Sequence, residues 1–526
     1  MLTILHTSDL HGHVHPTDSL ADRDFGDGLA RVAATVRSVR AEGRPVLLLD
    51  SGDTIQGTPE QAIAFEAGPA APDPIVNAMN RVGYDAMAVG NHEFDFGRER
   101  LARSRGQARF PLLSANIVEE GGGEPAFPPY RVASVDGVRV GILGLTTKLV
   151  PSWESPGRVA GLRFTDSVEA AARYVPVLRG KERCDLVVVL VHEGFERSLD
   201  TGEDRGSGDE NQAYAIATGV PGIDLLLTGH THSVIDPRKL GGTWVSQPGR
   251  FGNTVTRFDV TLARQASGWK ASEIRGASLP MKSVEPDPEI VRLATPSHDA
   301  AMARLATTVA QLRVPLEARD ARVRDTALLD WLHGVQLREG KAQISFASLL
   351  PGSLPTWEPG PLTIRQIWSF YPYENDLVTV RATGVQVHEA LERAARCLSG
   401  IETTSAGPAW RRNPSVWGYN CDTLDGAEYA LDPTRPEGQR VLFLRRDGKP
   451  VGDTETFLVA LNSYRAAGGG GYRVWKDCPR VGEADASLRD LLIRDAKRRG
   501  ELSPETDGNW FLAPSLPEGP FRVPSN

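Results

Sequence analysis

The sequence has few cysteines, no long apolar run and no excess of positive charge, and each absence excludes a class of protein. Its four cysteines, Cys184, Cys397, Cys421 and Cys478, are too scattered for a disulfide framework or a cysteine zinc site. Without a run of about 18 apolar residues, we expect no transmembrane helix and no membrane partner. The formal net charge of −8, with no long basic run, argues against polymeric nucleic acid as a partner.

The beginning of the chain contains no recognisable secretory signal. A short strand-like segment starts at Leu2 and runs directly into polar residues, whereas a signal peptide has a longer apolar core. As written, the sequence predicts a cytoplasmic protein; if the true start lies upstream, the alternative is a periplasmic or extracellular one. Its oligomeric state is not indicated by any pattern in the sequence.

The length of 526 residues, with 40% hydrophobic and 24% charged residues, is typical of a globular protein with two or more domains. In the first half, five apolar segments each end in polar residues that can bind a metal ion. Those ends are Asp9-Leu10-His11, Gly52-Asp53, Gly90-Asn91-His92, His192 and Gly229-His230-Thr231-His232. Segments of helical periodicity, such as 28–40 and 74–82, lie between them, so the pattern predicts α/β layers.

Loops at the carboxyl ends of strands form the functional sites of α/β sheets, so we expect these five strand ends to converge. Taken alone, any one of these aspartates or histidines reads more readily as a turn or capping residue. Five such ends in succession favour a metal site instead. Mixed nitrogen and oxygen ligands fit Mn²⁺ or Zn²⁺ first, then Fe, Co or Mg.

The order of these motifs resembles that of the calcineurin-like metallophosphoesterases. The resemblance implies a four-layer α/β/β/α domain with two divalent metal ions about 3.5 Å apart. It also implies seven ligands: Asp9, His11 and His232 for the first ion, Asn91, His192 and His230 for the second, and Asp53 as the bridge.

His92 and Asp95 lie three positions apart directly after Asn91. In the nucleotidase branch of the family a His–Asp pair at this spacing assists the reaction. The resemblance therefore implies that His92 stabilises the phosphoryl charge or protonates the leaving oxygen, and that Asp95 orients the imidazole. The alternative for Asp95 is an N-cap of a helix that begins near Gly97.

The character of the sequence changes between residues 283 and 312, where a helix-like stretch runs from Pro286 towards Leu312. We expect this stretch to connect two domains. The predicted division is a metallophosphoesterase domain at 1–285, a helical linker at 286–312 and a second α/β domain at 313–526.

The second half resembles the C-terminal, nucleoside-binding domain of the 5′-nucleotidase family. In that family two aromatic residues clamp the base, and their motifs match Tyr373 and Tyr464; a role in the core is the alternative for both. Asn375 belongs to the first motif. Gly469 and Gly470 lie in a glycine run that lets the backbone approach a ligand closely.

The second half also departs from the 5′-nucleotidases. Their Asn-Gly-Gly-Gly-Ile-Arg motif is missing from 348–353, and Gly470 stands where they carry aspartate. Segments 371–375, 418–422 and 462–466 are similar instead to 2′,3′-cyclic-nucleotide 2′-phosphodiesterase/3′-nucleotidases. The resemblance implies hydrolysis of a small nucleotide phosphoester by hydroxide held on two metal ions. The alternatives are a 5′-nucleotidase or nucleotide-sugar hydrolase on the same scaffold and, against the intact ligand set, a non-catalytic nucleotide sensor.

Overall fold

The computed structural model describes residues 1–68, 70–206, 208–265, 268–404 and 407–514. The chain divides into two compact units, Met1–Ala303 and Arg304–Asn526. Residues 515–526, at the end of the predicted C-terminal domain, lie outside the described residues. Among the helices of the described ranges, none is both long and apolar enough to cross a lipid bilayer.

The first unit contains two six-stranded mixed sheets. The strand order of the first is Gly268–Pro280, Thr254–Gln265, Leu2–Thr7, Val46–Asp50, Ala86–Ala88 and Leu112–Leu113. The order of the second is Val234–Leu240, Thr243–Pro248, Leu225–Thr228, Leu186–His192, Val138–Thr146 and Tyr130–Val135. The last four strands of the first sheet are parallel to one another, as are the middle four of the second, so the carboxyl ends within each set meet at one edge.

Apolar side chains from both sheets form one shared core, which includes Ile4, Leu49, Ile142, Val188 and Leu227. Helices cover the outer face of each sheet: Leu29–Arg40, Pro74–Val82 and Gly97–Gln107 on the first, and Ser167–Gly180 and Ala213–Gly219 on the second. The predicted four-layer α/β/β/α arrangement is therefore confirmed. Because strand Leu186–His192 is covered on both faces, all of its residues are buried and it reads as one apolar run.

The connecting helix is shorter than the sequence predicts. It spans Pro288–Leu305, and Thr308–Leu312 is a strand that pairs antiparallel with Gly360–Thr363. The prediction of a helical linker as far as residue 312 is wrong at this end. The β-branched run Thr307-Thr308-Val309 favours an extended backbone, and pairing with a neighbouring strand satisfies its polar groups.

The second unit is built around a five-stranded sheet and two smaller ones. The strand order of the large sheet is Asp422–Asp425, Ile344–Ser348, Thr456–Asn462, Asp376–Thr383 and Arg480–Ser487. The smaller sheets are Gly360–Thr363, Thr308–Leu312 and Glu501–Leu502, and Lys449–Pro450, Val441–Arg446, Glu428–Leu431 and Trp510–Leu512. The helices are Ala327–Glu339, Ile364–Phe370, Gly384–Ala395, Ser463–Ala466 and Leu488–Arg499, and Leu398–Thr404 and Gly407–Arg412 form a hairpin.

Two of the four cysteines are bonded to each other, which the sequence did not predict. Cys397 follows helix Gly384–Ala395, and Cys421 precedes strand Asp422–Asp425; the disulfide joins them across a separation of 24 residues. Spacing alone does not determine which cysteines pair, because the tertiary fold brings them together. Cys184 and Cys478 are free and buried.

Candidate active site

The five strand ends singled out in the sequence converge in the first unit. Two groups of donor atoms each lie within 4.8 Å of one another: Asp9, His11 and His232 in the first group, and Asp53, His192 and His230 in the second. Asn91 joins the second group, with its Oδ1 3.0 Å from His192 Nε2 and 2.9 Å from His230 Nδ1. The structure therefore brings all seven predicted ligands together.

Asp53 lies between the two groups. Its Oδ2 is 3.0 Å from His192 Nε2 and 3.9 Å from His11 Nε2, while its Oδ1 accepts a hydrogen bond from the backbone N–H of His92 at 2.8 Å. Burial by itself would raise the pKa of Asp53, but His192 and His92 hold it well below its usual value. Asp53 is therefore a buried carboxylate that faces both groups.

Hydrogen bonds on the outer side of two histidines direct their second ring nitrogen inwards. His11 donates from Nδ1 to the carbonyl oxygen of Gln56 at 3.2 Å, and His192 donates from Nδ1 to that of Ser51 at 2.8 Å. Donation from Nδ1 leaves the lone pair of Nε2 free to bind a metal ion. Burial also lowers the pKa of His11 to about 3, which keeps its imidazole neutral, as a metal ligand must be.

The remaining histidines complete a donor set that fits two divalent cations. His230 donates from Nε2 to Glu210 at 3.0 Å, which leaves Nδ1 directed at Asn91. His232 Nε2 lies 3.0 Å from His11 Nε2 and 3.4 Å from Asp9 Oδ1. A cation bound by these nitrogens and the carboxylate would use lone pairs that already face one another.

The ligand loops have an unusual backbone. Five of the seven predicted ligands have a positive φ: Asp9 (53°), His11 (45°), Asp53 (57°), His230 (72°) and His232 (56°). Non-glycine residues rarely adopt this left-handed conformation, and such strain clusters at functional sites. The sharp turns let donor side chains leave successive strand ends towards one point.

Glu93 connects two of the ligand loops through hydrogen bonds to their backbone. Its buried carboxylate accepts the backbone N–H of Asp53 at 2.8 Å, of Thr54 at 2.6 Å and of Gly90 at 2.6 Å. Gly90 has no room for a side chain, because an added Cβ would lie 2.3 Å from Asp53 Oδ1. The Gly-Asn-His-Glu sequence thus fixes Asp53 and Asn91 relative to each other.

His92 and Asp95 form the pair expected from their spacing. His92 donates from Nδ1 to Asp95, at 3.1 Å from Oδ1 and 2.9 Å from Oδ2. Burial alone would lower the pKa of His92, but Asp95 and Asp53 raise it well above its usual value. Helix Gly97–Gln107 has Phe96 at its N-cap position and, within the described residues, no side-chain cap, so Asp95 does not serve as one.

Four residues beside the site belong to none of the sequence motifs and were not predicted. Trp153 stacks on His230, with ring centroids 5.4 Å apart and an interplanar angle of 24°. Glu154 is a buried neighbour of Asp95. Arg250 Nη1 lies 3.2 Å from His232 Nδ1, and Glu210 is the acceptor for His230. Only the folded chain brings these residues to the ligands.

In the second unit, the predicted nucleoside-binding residues gather at one end of the five-stranded sheet. Strands Asp376–Thr383 and Thr456–Asn462 run antiparallel with Leu377 opposite Asn462. Tyr373 and Asn375 lie just before the first strand and Tyr464 just after the second, so both tyrosine loops are at the same end. Tyr373 is 41% exposed.

A buried arginine anchors the segment that carries Tyr464, the short helix Ser463–Ala466 and the glycine run after it. Arg465 donates from Nε and Nη2 to the two carboxylate oxygens of Asp422, both at 2.7 Å, and from Nη1 to the carbonyl oxygen of Gly469 at 2.9 Å. A side chain at position 470 is excluded, because an added Cβ would lie 2.2 Å from Asn420 Oδ1 and 2.4 Å from Arg465 Nη1. The glycine run is therefore packed tightly against this pair.

A second buried arginine supports the loop that carries Tyr373. Arg489 forms an ion pair with Glu374 and donates to the carbonyl oxygen of Pro372 at 3.3 Å. Its guanidinium also lies 3.5 Å above the ring of Trp368. Both tyrosine loops are thus held by an arginine–carboxylate pair, and neither arginine had a predicted role.

Two stacked mixed sheets with this donor set define the dinuclear metallohydrolase class. Residues 2–234 match the family described as calcineurin-like phosphoesterase, and residues 305–477 match the 5′-nucleotidase C-terminal domain. The chain is therefore a calcineurin-like metallophosphoesterase with a 5′-nucleotidase C-terminal domain, an enzyme as the sequence predicts. Members of the first family use a dinuclear centre of divalent metal ions.

Known proteins are similar over nearly the whole chain. The 2′,3′-cyclic-nucleotide 2′-phosphodiesterase/3′-nucleotidase of Salmonella typhimurium is 28% identical over 98% of this chain and 89% of its own. The trifunctional nucleotide phosphoesterase protein YfkN of Bacillus subtilis is 25% identical over 98% of this chain, which spans only 39% of YfkN. The structure of a candidate 5′-nucleotidase from Staphylococcus aureus, in complex with alpha-ketoglutarate, superposes with a TM-score of 0.84 at 25% identity; the match covers 97% of this chain and 99% of that one.

Proposed function

We propose that this protein hydrolyses small nucleotides as a 2′,3′-cyclic-nucleotide 2′-phosphodiesterase and 3′-nucleotidase. The observation that supports the proposal is the convergence of the seven predicted metal ligands beside the His92–Asp95 pair. The chemistry belongs to the first unit, in the metallophosphoesterase domain proposed as residues 1–285. The second unit, whose first strand is Thr308–Leu312, binds the nucleoside of the substrate.

The proposed ligands are those implied by the motifs, with Asp53 shared between two Mn²⁺ or Zn²⁺ ions. When bound, such ions would stabilise phosphoryl charge and lower the pKa of a coordinated water. His92 holds its Nδ1 proton against Asp95, and its raised pKa keeps a second proton on Nε2. That proton can be donated to a phosphoryl oxygen or to the leaving oxygen.

The nucleoside is proposed to bind between Tyr373 and Tyr464, with Asn375, Gly469 and Gly470 beside them. Stacking on an aromatic face tolerates any base and contributes roughly 1–3 kcal/mol per base. A role in the core does not suit Tyr373, which is 41% exposed. Gly470 supports the cyclic-nucleotide branch, because the packing of Asn420 and Arg465 leaves no space for the aspartate of the 5′-nucleotidases.

The disulfide is evidence about the cellular compartment of the protein. Disulfides persist in oxidising compartments and are rare in the cytosol. The Cys397–Cys421 bond therefore favours the periplasmic or extracellular alternative over the cytoplasm. Alkylation of the unreduced protein from its own host should label only Cys184 and Cys478 after denaturation; labelling of all four cysteines would support the cytoplasm.

The test of function is a substrate panel at fixed Mn²⁺, read by product analysis and phosphate release. We expect turnover of 2′,3′-cyclic AMP to 3′-AMP and then adenosine, with 5′-AMP hydrolysed much more slowly. Faster hydrolysis of 5′-AMP or of a nucleotide sugar would assign the protein to the corresponding alternative. Nucleotide binding without metal-dependent turnover would indicate a sensor.

A further inference from the structure

One predicted metal ligand, His230, is held from two sides by residues outside the ligand motifs. Its Nε2–H donates to the carboxylate of Glu210 at 3.0 Å, and Trp153 stacks on its ring, with centroids 5.4 Å apart and an interplanar angle of 24°. The other ring nitrogen, Nδ1, lies 2.9 Å from Asn91 Oδ1. In this orientation the imidazole presents Nδ1 to the second donor group.

Glu210 differs in charge from the outer partners of two other ligand histidines. His11 and His192 donate from their outer nitrogens to backbone carbonyl oxygens, at 3.2 and 2.8 Å. Glu210 offers His230 a carboxylate instead. A hydrogen bond to an ionised acceptor is stronger than one to a neutral carbonyl, and it makes the imidazole a more basic metal ligand.

The two donor groups also differ in their number of carboxylates. The first contains Asp9 and faces Asp53, whereas the second has only Asp53, because Asn91 is neutral. A divalent cation in a buried site needs compensating negative charge. Glu210 places a further carboxylate next to the group that has fewer of them.

The loop after strand Val138–Thr146 holds the backbone of Glu210 in place. Thr147 Oγ1 donates to the carbonyl oxygen of Glu210 at 2.9 Å, and Lys148 Nζ pairs with Asp209 at 3.3 Å. The side chain of Glu210 is 39% exposed, so these contacts, rather than deep burial, place its carboxylate beside His230.

We infer that Glu210 is a positioning residue of the second donor group: its carboxylate fixes the ring of His230 through Nε2–H and strengthens Nδ1 as a metal ligand. This inference rests on the proposed function, which assigns His230 to the second ion. Glu210 acts through His230, so its first effect is on metal affinity, and its effect on turnover follows from that.

The test is a calorimetric titration of the metal-free protein with Mn²⁺, without substrate. Glu210→Leu should raise the Kd of one of two Mn²⁺ sites by about 10- to 100-fold, the usual range for an outer partner of a metal ligand. Glu210→Gln keeps an oxygen that can accept the Nε2–H, so its Kd should stay within about 5-fold of the parent. The affected site should be the one that is lost in His230→Ala.

The matched control is Glu203→Leu, which removes the same charge from an exposed position close by in the sequence. Both Mn²⁺ affinities should remain those of the parent in this variant. Unchanged affinities in Glu210→Leu, or equal losses in Glu210→Leu and Glu210→Gln, would overturn the inference. So would an equal loss in Glu203→Leu, because the effect would then be one of overall charge.

Turnover gives a second readout. At limiting Mn²⁺, Glu210→Leu should hydrolyse 3′-AMP more slowly than the parent, and excess Mn²⁺ should restore most of kcat with KM unchanged. A deficit that excess Mn²⁺ does not reduce would count against a role in metal binding.

The titration also keeps this inference distinct from the proposed function. If the parent hydrolyses no nucleotide but the three proteins show the expected order of Mn²⁺ affinities, the proposed function fails and the positioning role stands. If the parent is active and Glu210→Leu binds Mn²⁺ as tightly as the parent does, only the positioning role fails.

Discussion

The candidate metal site of the first unit and the predicted nucleoside site of the second differ in how deeply their side chains are buried. Asp9, Asp53 and His192 are each at most 1% exposed, and hydrogen bonds fix their side chains. Tyr373, in contrast, is 41% exposed on a loop. In the first unit the candidate ligand side chains are themselves buried and fixed. In the second unit the exposed tyrosine is not fixed in this way, and the buried groups are those that support its segment.

The chemistry of the two kinds of ligand explains the difference. A metal ion needs several donor atoms about 2.0–2.2 Å from one point, so the donors must be preset and shielded. A base stacks on an open aromatic face, so that face must stay accessible while its loop is kept in place. Arg465 and Arg489 fulfil the second requirement through their carboxylate partners.

The strongest test of this contrast removes the shared carboxylate of the first unit. Asp53→Ala should lower turnover of every substrate by roughly 10³-fold, because the electrostatic stabilisation of the reacting phosphate depends on it. Metal content, measured by mass spectrometry, should fall in parallel, while adenosine binding by calorimetry stays unchanged. Asp136→Asn, at another left-handed aspartate in an exposed turn, is the control; full metal content and activity in Asp53→Ala would contradict the site.

The next test concerns the rigid support of the second unit. Arg465→Met leaves Asp422 buried without its partner, so we expect the unit to lose about 3 kcal/mol of stability in urea unfolding of the full chain. The double variant Arg465→Met/Asp422→Leu should recover most of this loss, because no unpaired charge remains. Equal stability of the single variant and the parent would show that the pair does not support the loop.

A smaller effect is expected from the two tyrosines of the predicted nucleoside site. Tyr373→Ala or Tyr464→Ala should weaken nucleotide binding by roughly 1–3 kcal/mol, seen as a higher KM for 3′-AMP. Hydrolysis of glycerol 2-phosphate, which has no base, should not change. Tyr373→Phe keeps the stacking face and should behave like the parent; a parallel loss on both substrates would contradict a role confined to the base.

A buried histidine of the second unit, His333, makes the stability of the protein depend on pH. His333, in the core of the second unit, has Nδ1 2.9 Å from Ser345 Oγ and Nε2 2.9 Å from Thr423 Oγ1, and burial lowers its pKa to about 3. Between pH 6.5 and 3 the imidazole of His333 is protonated in the unfolded chain but neutral in the folded chain. The stability provided by neutral His333 is therefore present above pH 6.5 and is lost as the pH falls towards 3.

At pH 5 this loss should amount to about 2 kcal/mol relative to pH 7. Urea unfolding at the two pH values should show that His333→Gln reduces the difference, whereas His388→Gln, at a half-buried position of helix Gly384–Ala395, should not. An unchanged pH dependence in His333→Gln would contradict the assignment. Added Mn²⁺ should not protect His333, because both of its ring nitrogens already have hydroxyl partners.

Much of the first unit could be predicted because all seven candidate ligands lie at or just after the ends of five buried strands. Alternating apolar strands and helices predict the layers, and the parallel order brings the strand ends to one edge. The second unit was less predictable, since its strands are short and mostly antiparallel and its loops carry no repeated pattern. The end of the linker helix at Leu305 and the pairing of Cys397 with Cys421 are examples.

The sequence by itself predicted the α/β layers and the polar strand ends, because these are local patterns, and its resemblance to a known family supplied the ligand assignments and the tyrosine pair. Only the tertiary structure decided that Asp53 faces both donor groups, that Trp153 stacks on His230, and that Arg465 and Arg489 each pair with a carboxylate. The physical reason is distance along the chain. These contacts join residues tens to hundreds of positions apart, and no periodicity or spacing encodes which of them will meet.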